Sequence, residues 1–232
     1  MKMLKVMMMS EILKITSENG RIGITAKSGW GKTYLSLALL KKGIQAGYKV
    51  YVLSYTKHSE KNYWEELKKY GDVIIYYAEF KNANDIIKFF YDVFKDKKGG
   101  KILYINDLDL YLNRADSTTI ALLNSIFSSI RKSNSIIIYE TKSMKGSRFL
   151  FLLDNTDILF LGRFGRLQET VVKHIGIEDL QTSYDKLKPH EFLMIDTTYQ
   201  EVKIVKVVGD DIVEVTKDLD NEEEEGDDNE YY

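Results

Sequence analysis

Short apolar runs recur along the chain at 21–25 (RIGIT), 49–55 (KVYVLSY), 72–77 (DVIIYY), 101–105 (KILYI), 135–139 (SIIIY) and 157–161 (DILFL). Several are unbroken stretches of β-branched or aromatic residues, the pattern of strands buried on both faces of a parallel sheet. Helical spacing fills the intervals at 32–46, 58–70, 82–96 and 117–132, and Gly47, Gly71 and Gly99 follow the first three as stop signals. Within 58–70, Tyr63, Trp64 and Leu67 are expected to form the inner face. Strand and helix alternate, which predicts an α/β fold with right-handed crossovers. After Gly162 the rhythm changes. The runs 190–196 (HEFLMID) and 201–208 (EVKIVKVV) flank a short polar link and read as an antiparallel hairpin appended to the parallel sheet.

Composition removes whole classes of chemistry. There is no cysteine, so a disulfide framework, a zinc ribbon, a cysteine nucleophile and an iron–sulfur cluster are excluded. His58, His174 and His190 lie far apart in sequence, which argues against a metal site built on imidazoles. No apolar run approaches the roughly 20 residues of a bilayer span, and the first twenty residues are broken by Lys5, Glu11 and Lys14 without a cleavage site. A soluble, non-secreted protein without membrane insertion is expected. High Lys, Glu, Ile and Tyr usage with a single proline fits heat adaptation or an AT-rich genome equally.

The formal charge of −2 conceals an asymmetry, because residues 218–232 hold nine acidic side chains and no basic one. Without them the chain carries 33 basic and 26 acidic residues, a surplus compatible with a polyanionic partner. The division expected is one domain over 1–217, its core spanning about 21–208, followed by a disordered acidic tail over 218–232.

The most informative stretch is 26–33, AKSGWGKT, which matches the phosphate-loop pattern G-x-x-x-x-G-K-S/T with Ala26 at the first glycine. Phosphate oxygens need backbone N–H donors at close range, and Gly29 and Gly31 remove side chains where the loop must curl. Ala26, Lys27, Ser28, Gly29, Trp30, Gly31, Lys32 and Thr33 are therefore the candidate nucleotide-binding residues. Lys32 supplies a cation to the β and γ phosphates and Thr33 a hydroxyl to Mg²⁺, while the following helix turns its N-terminus to the anion. The loop follows a strand and opens a helix, the context the motif requires.

Hydrolysis needs acids opposite the loop. Strand 101–105 ends in Asn106, Asp107 and Asp109. Either Asn106 holds a metal-bound water while Asp107 activates the nucleophile, or Asp107 serves the metal and Asp109 assists; Asp107 is indispensable in both. The next strand ends in Glu140, Thr141 and Lys142, candidates for contact with the γ phosphate or the attacking water. Arg163 and Arg166 follow the next strand, where a subunit could offer a guanidinium to its neighbour's nucleotide. Lys142, Lys145 and Arg148 would suit a phosphate backbone.

This order of phosphate loop, acidic strand end, polar strand end and arginines resembles the RecA-like ASCE class of P-loop ATPases. Within it the chain is similar to the FtsK/HerA superfamily, especially small genome-packaging ATPases of membrane-containing icosahedral DNA viruses, including archaeal ones. The terminal strand pair looks like theirs too. Asn106 stands where that family usually has aspartate, and Lys142 where a glutamine sensor is expected. The resemblance implies an ATP- and Mg²⁺-dependent ring, a hexamer, that pulls double-stranded DNA through a basic pore and is recruited to a capsid vertex, in the host cytoplasm or on the virion. A RecA-like or helicase-loader ATPase and a slow nucleotide switch are the competing readings.

Overall fold

The computed structural model describes residues 4–6, 20–54, 61–78, 84–97, 99–143, 147–165, 167 and 169–215. The acidic tail, His58, Lys145 and Arg166 lie outside them. Among the described residues ten strands form one sheet: β1 (Leu4–Val6), β2 (Arg21–Thr25), β3 (Lys49–Ser54), β4 (Val73–Tyr77), β5 (Lys101–Ile105), β6 (Ser135–Thr141), β7 (Ile158–Leu161), β8 (Glu191–Asp196), β9 (Glu201–Val208) and β10 (Asp211–Val215). Their spatial order is β1-β10-β9-β8-β7-β2-β6-β5-β3-β4. From β7 to β4 every pairing is parallel, whereas β8, β9, β10 and β1 join antiparallel.

Side-chain parity explains why this sheet is buried on both faces. Ile22, Ile24, Val50, Val52, Ile102, Tyr104, Ile136 and Ile138 pack on one face with α1 (Lys32–Gln45) and α2 (Lys61–Leu67). On the other face, Tyr51, Leu53, Leu103, Ile105, Ile137 and Tyr139 meet α3 (Asn84–Lys95), α4 (Leu108–Leu112) and α5 (Ser117–Ser129). Asp116 caps α5, its carboxylate accepting from the Thr119 N–H at 2.7 Å, and a 3₁₀ turn (Ile130–Ser133) carries the chain into β6. Leu159, Leu161, Leu193 and Ile195 meet α6 (Ser147–Asp154), α7 (Glu169–Ile175) and α8 (Leu180–Asp185).

The parallel strands, the four crossover helices and the β8–β9 hairpin match the periodicity. On α2, Trp64 and Leu67 are fully buried as expected, but Tyr63 is 37% exposed. The periodicity gives no sign of β1, of β10 beyond 208, or of the helices α4, α6, α7 and α8. Gly209 (φ 62°) and Asp210 make a tight turn that folds β10 back on β9, with Val208 opposite Asp211. At the base of the sheet Asp157 is nearly fully buried and holds the Arg21 guanidinium through both oxygens, at 2.7 and 3.1 Å. Among the described residues no helix is long and apolar enough to cross a membrane.

Candidate functional site

The loop after β2 leaves the sheet at Ala26, whose N–H bonds the Thr141 carbonyl, and the Lys27 N–H bonds that of Arg163, both at 3.4 Å. It then curls through left-handed turns at Gly29 (φ 77°) and Gly31 (φ 98°), conformations that cost any residue with a Cβ. Lys32 opens α1 almost fully buried, and its ammonium donates back to the Ala26 carbonyl at 2.9 Å and to that of Lys27 at 3.3 Å. Burial lowers its pKa, and the charges of Glu140 and Asp107 oppose that shift.

Trp30, the odd residue in the motif, is packed inside. Its indole N–H donates to the Glu191 carbonyl at 2.8 Å, and the Trp30 carbonyl lies 3.1 Å from His190 Nδ1. A Cβ on Gly162 would sit 2.4 Å from the Trp30 ring and 2.7 Å from the Ala26 methyl. The alanine that departs from the motif therefore faces the end of β7, where a glycine makes room for it.

The opposite wall comes from β5 and β6, the latter lying between β5 and the loop strand β2. Asp107 follows β5 with φ 50° and ψ 52°, a left-handed conformation that aspartate tolerates better than most residues. It is 2% exposed. One carboxylate oxygen takes the Lys142 ammonium at 2.6 Å; the other, Oδ1, is buried with no hydrogen-bond partner among the described residues. Such an orphan acceptor costs roughly 1–3 kcal/mol, a burden that sites of function carry. Asp109 accepts from the Lys142 backbone N–H at 3.3 Å, and burial raises its pKa.

Glu140 shares the parity of Ile136 and Ile138, so it points to the α1 face, where it is 2% exposed. Its Oε1 accepts from Ser36 at 2.5 Å, one turn beyond Lys32, and from Tyr104 at 2.6 Å. Burial pushes its pKa up to about 7, against the pull of those two hydroxyls and of Lys32. A carboxyl raised from 4.5 in this way favours folding below about pH 4.5 and loses that contribution as pH rises through about 7. Thermal unfolding from pH 5 to 8 should therefore show wild type losing about 3 kcal/mol relative to Glu140→Gln. Parallel pH profiles for the two proteins would refute the assignment.

A cleft of about 340 Å³ joins these walls, with Ser28, Gly29, Gly31, Lys32 and Thr33 on one side, Asp107, Glu140 and Lys142 on the other, and Tyr34, Tyr63 and His190 completing it. Asn106 is 1% exposed and, like Ala26, Lys27, Trp30 and Thr141, does not line the cleft. Thr141 donates instead to the Thr25 hydroxyl at 2.8 Å. The Arg163 guanidinium donates to the Asp185 carbonyl at 3.3 Å and lies outside the cleft lining. Sequence reasoning missed Ser36, Tyr104 and His190. Hydroxyls inside otherwise apolar stretches, LSLALL and KILYI, were the available signal for the first two; nothing local marked His190.

No family model matches the sequence, and no curated protein sequence matches it. Solved structures do. The genome-packaging NTPase B204 of Sulfolobus turreted icosahedral virus 2 in complex with ATP-gammaS superposes with a TM-score of 0.60 at 14% identity, over 83% of this chain and 98% of that one. The DNA-packaging ATPase B204 of Sulfolobus turreted icosahedral virus gives 0.63 at 17%, over 82% and 98%. VirB4 of Thermoanaerobacter pseudethanolicus gives 0.64 at 12%, over 81% and 89%. The fold is that of a RecA-like P-loop ATPase with a C-terminal antiparallel hairpin, and its structural neighbours are of the kind the motifs resemble.

Proposed function

We propose that the chain is an FtsK/HerA-type ATPase that couples ATP hydrolysis to movement of double-stranded DNA, as in packaging of a viral genome. The observation that carries the reading is the pairing, across one cleft, of a phosphate loop bearing Lys32 and Thr33 with the buried, half-satisfied carboxylate of Asp107. Gly29 and Gly31 open the loop's backbone to phosphate oxygens, and Lys32 exchanges its two carbonyl partners for them. The residues fit a divalent cation: the Thr33 hydroxyl and Asp107 Oδ1 would hold it, the remaining positions falling to phosphate and water, and among the described residues no cluster could hold a metal by itself. When bound, Mg²⁺ supplies neutralisation of phosphate charge. Glu140, once deprotonated, orients Ser36 and Tyr104 and sets the field at Lys32. Lys142, on the end of β6, reaches into the same cleft and is the group best placed to follow the γ phosphate.

The basic surplus outside the acidic tail supports a DNA partner, and the likeness to packaging ATPases supports a hexameric ring recruited to a capsid vertex, with Arg163 or Arg166 offered between subunits. A slow switch in assembly is the second reading, favoured by the Lys142–Asp107 ion pair that closes the acid off. Steady-state ATP hydrolysis with and without duplex DNA separates them. Stimulation by duplex exceeding that by single strands is expected; turnover indifferent to any DNA would sink the motor.

A further inference from the structure

Two residues of the phosphate loop are not called for by its chemistry. Ala26 stands at the first glycine of the motif, and Trp30 sets a bulky indole between Gly29 and Gly31. Both side chains are buried and neither lines the cleft. Their packing explains the two together. A Cβ on Gly162, at the end of β7, would overlap the Trp30 ring and lie 2.7 Å from the Ala26 methyl, so this glycine is the seat on which both rest. Gly162 has no positive φ, and its missing side chain therefore answers to space alone. From that seat the indole N–H donates to the Glu191 carbonyl at the start of β8, at 2.8 Å. His190 Nδ1 lies 3.1 Å from the carbonyl of Trp30 itself and donates to it, because a carbonyl only accepts. The Lys27 ammonium adds a cation–π contact, 5.2 Å from the ring centroid. Side chain and main chain of one loop residue are thus both tied to the C-terminal hairpin, 161 and 160 residues away.

We propose that Trp30 is a positioning residue: seated on Gly162 and tied to β8, it holds the phosphate loop in its anion-binding shape before phosphate arrives, which makes the C-terminal hairpin a part of the nucleotide site. The proposal rests on the reading of the cleft as the phosphate site. The indole touches no ligand and acts through the backbone on either side of it. Gly29 (φ 77°) and Gly31 (φ 98°) give that backbone the curl it needs, and glycine loses more conformational freedom on ordering than any other residue. A loop ordered only by its ligand would pay this entropy out of affinity, whereas a loop anchored between its two glycines has met the cost on folding. Ala26 departs from the motif for the same reason, since its methyl fills the seat beside the indole.

The test measures binding of inorganic tripolyphosphate to the full chain by calorimetry at pH 8, beside denaturant unfolding. The proteins are wild type, Gly162→Ala, Trp30→Ala, their double variant, His190→Gly, His190→Asn, Phe127→Leu and Lys32→Ala. Gly162→Ala alters no loop residue and adds one methyl under the indole, and it should weaken tripolyphosphate about tenfold. In the Trp30→Ala background the seat is empty, and the same methyl should change affinity by less than about twofold. Phe127→Leu, a core change on the opposite face of the sheet, should lower stability and leave affinity as it was. Glycine and asparagine both accept the φ of 65° at position 190, but only asparagine keeps a donor where Nδ1 stands. His190→Gly should therefore weaken tripolyphosphate about tenfold and His190→Asn should restore it. This pair decides the matter if Trp30→Ala or Gly162→Ala does not fold. Equal effects of Gly162→Ala in both backgrounds, wild-type affinity in His190→Gly, or a loss in Phe127→Leu that matches the others would each overturn the proposal, while loss of the ligand in Lys32→Ala leaves the phosphate site standing. Should Lys32→Ala bind tripolyphosphate as wild type does, the phosphate reading itself fails, and the positioning role with it.

Discussion

Lys32→Ala should cut ATP turnover by at least about 10²–10³-fold while leaving the protein folded. The ammonium is the one cation on the loop side of the cleft lining, and its partners in the structure are two main-chain carbonyls that it can release when phosphate arrives. Alanine keeps the helix, for which it has the highest propensity, and relieves the cost of holding a cation out of water. It also takes a compensating charge away from Glu140 and, in part, from Asp107, which keeps its Lys142 ion pair, so the net change in stability should be small. Hydrolysis assays beside denaturant unfolding separate the two effects. A variant that unfolds would make Lys32 a structural residue; one that turns over at the wild-type rate would remove the loop from the chemistry.

Asp107→Asn is the second large effect expected. Asparagine occupies the left-handed conformation as readily as aspartate and is close to it in volume, so the turn after β5 should survive. What disappears is a buried negative charge with an unsatisfied oxygen, and its ion pair with a lysine that is 43% exposed and can return to water. Stability should hold or rise by about 1 kcal/mol. Turnover should fall by about 10²–10³-fold, and nucleotide affinity should lose its dependence on Mg²⁺ concentration. An Mg²⁺ titration of ATP binding unchanged by the substitution would transfer the metal role to another group, Asp109 being next along the chain.

Legibility in the sequence followed the range of the forces involved. The six strands and four crossover helices could be read because each carries its signal locally, in β-branched runs and in helical spacing; of the glycine stop signals, Gly47 (φ 87°) directly follows its helix, whereas α2 and α3 end at Leu67 and Lys95, four residues before Gly71 and Gly99. The phosphate loop was legible for the same reason: its glycines, Lys32 and Thr33 lie within eight residues. Strand β1 was not, since its three residues pair with β10 across more than two hundred positions, and β10, five residues of which two are acidic, carries only a weak apolar run although it folds back on β9 through a local turn. Glu140 illustrates the middle case. Its place at a strand end was evident, but its burial against Ser36 and Tyr104 depends on which face α1 covers. Parity with Ile136 and Ile138 would have indicated that face, had the strand been extended to Thr141. Trp30 could not be interpreted from its neighbours, because the carbonyl that satisfies it belongs to Glu191, 161 residues away.

The contacts around α1 bear on how the cleft can work as a machine. The loop before the helix is pinned to the start of β8 by Trp30 and His190, and the last turn is pinned to the β9–β10 corner by Lys41 on Asp210 at 2.6 Å and Lys42 on Asp211 at 2.7 Å. The far end of the β8–β9 hairpin is fastened as well, through the Thr197 hydroxyl on the Asp157 carbonyl at 2.9 Å. One side of the cleft is thus a fixed jaw, braced along its length by the antiparallel strands. The other side, the strand ends that carry Asp107 and Lys142, belongs to the same sheet through the β2–β6 and β5–β6 pairings, so a nucleotide bound between the two would be held by one continuous frame.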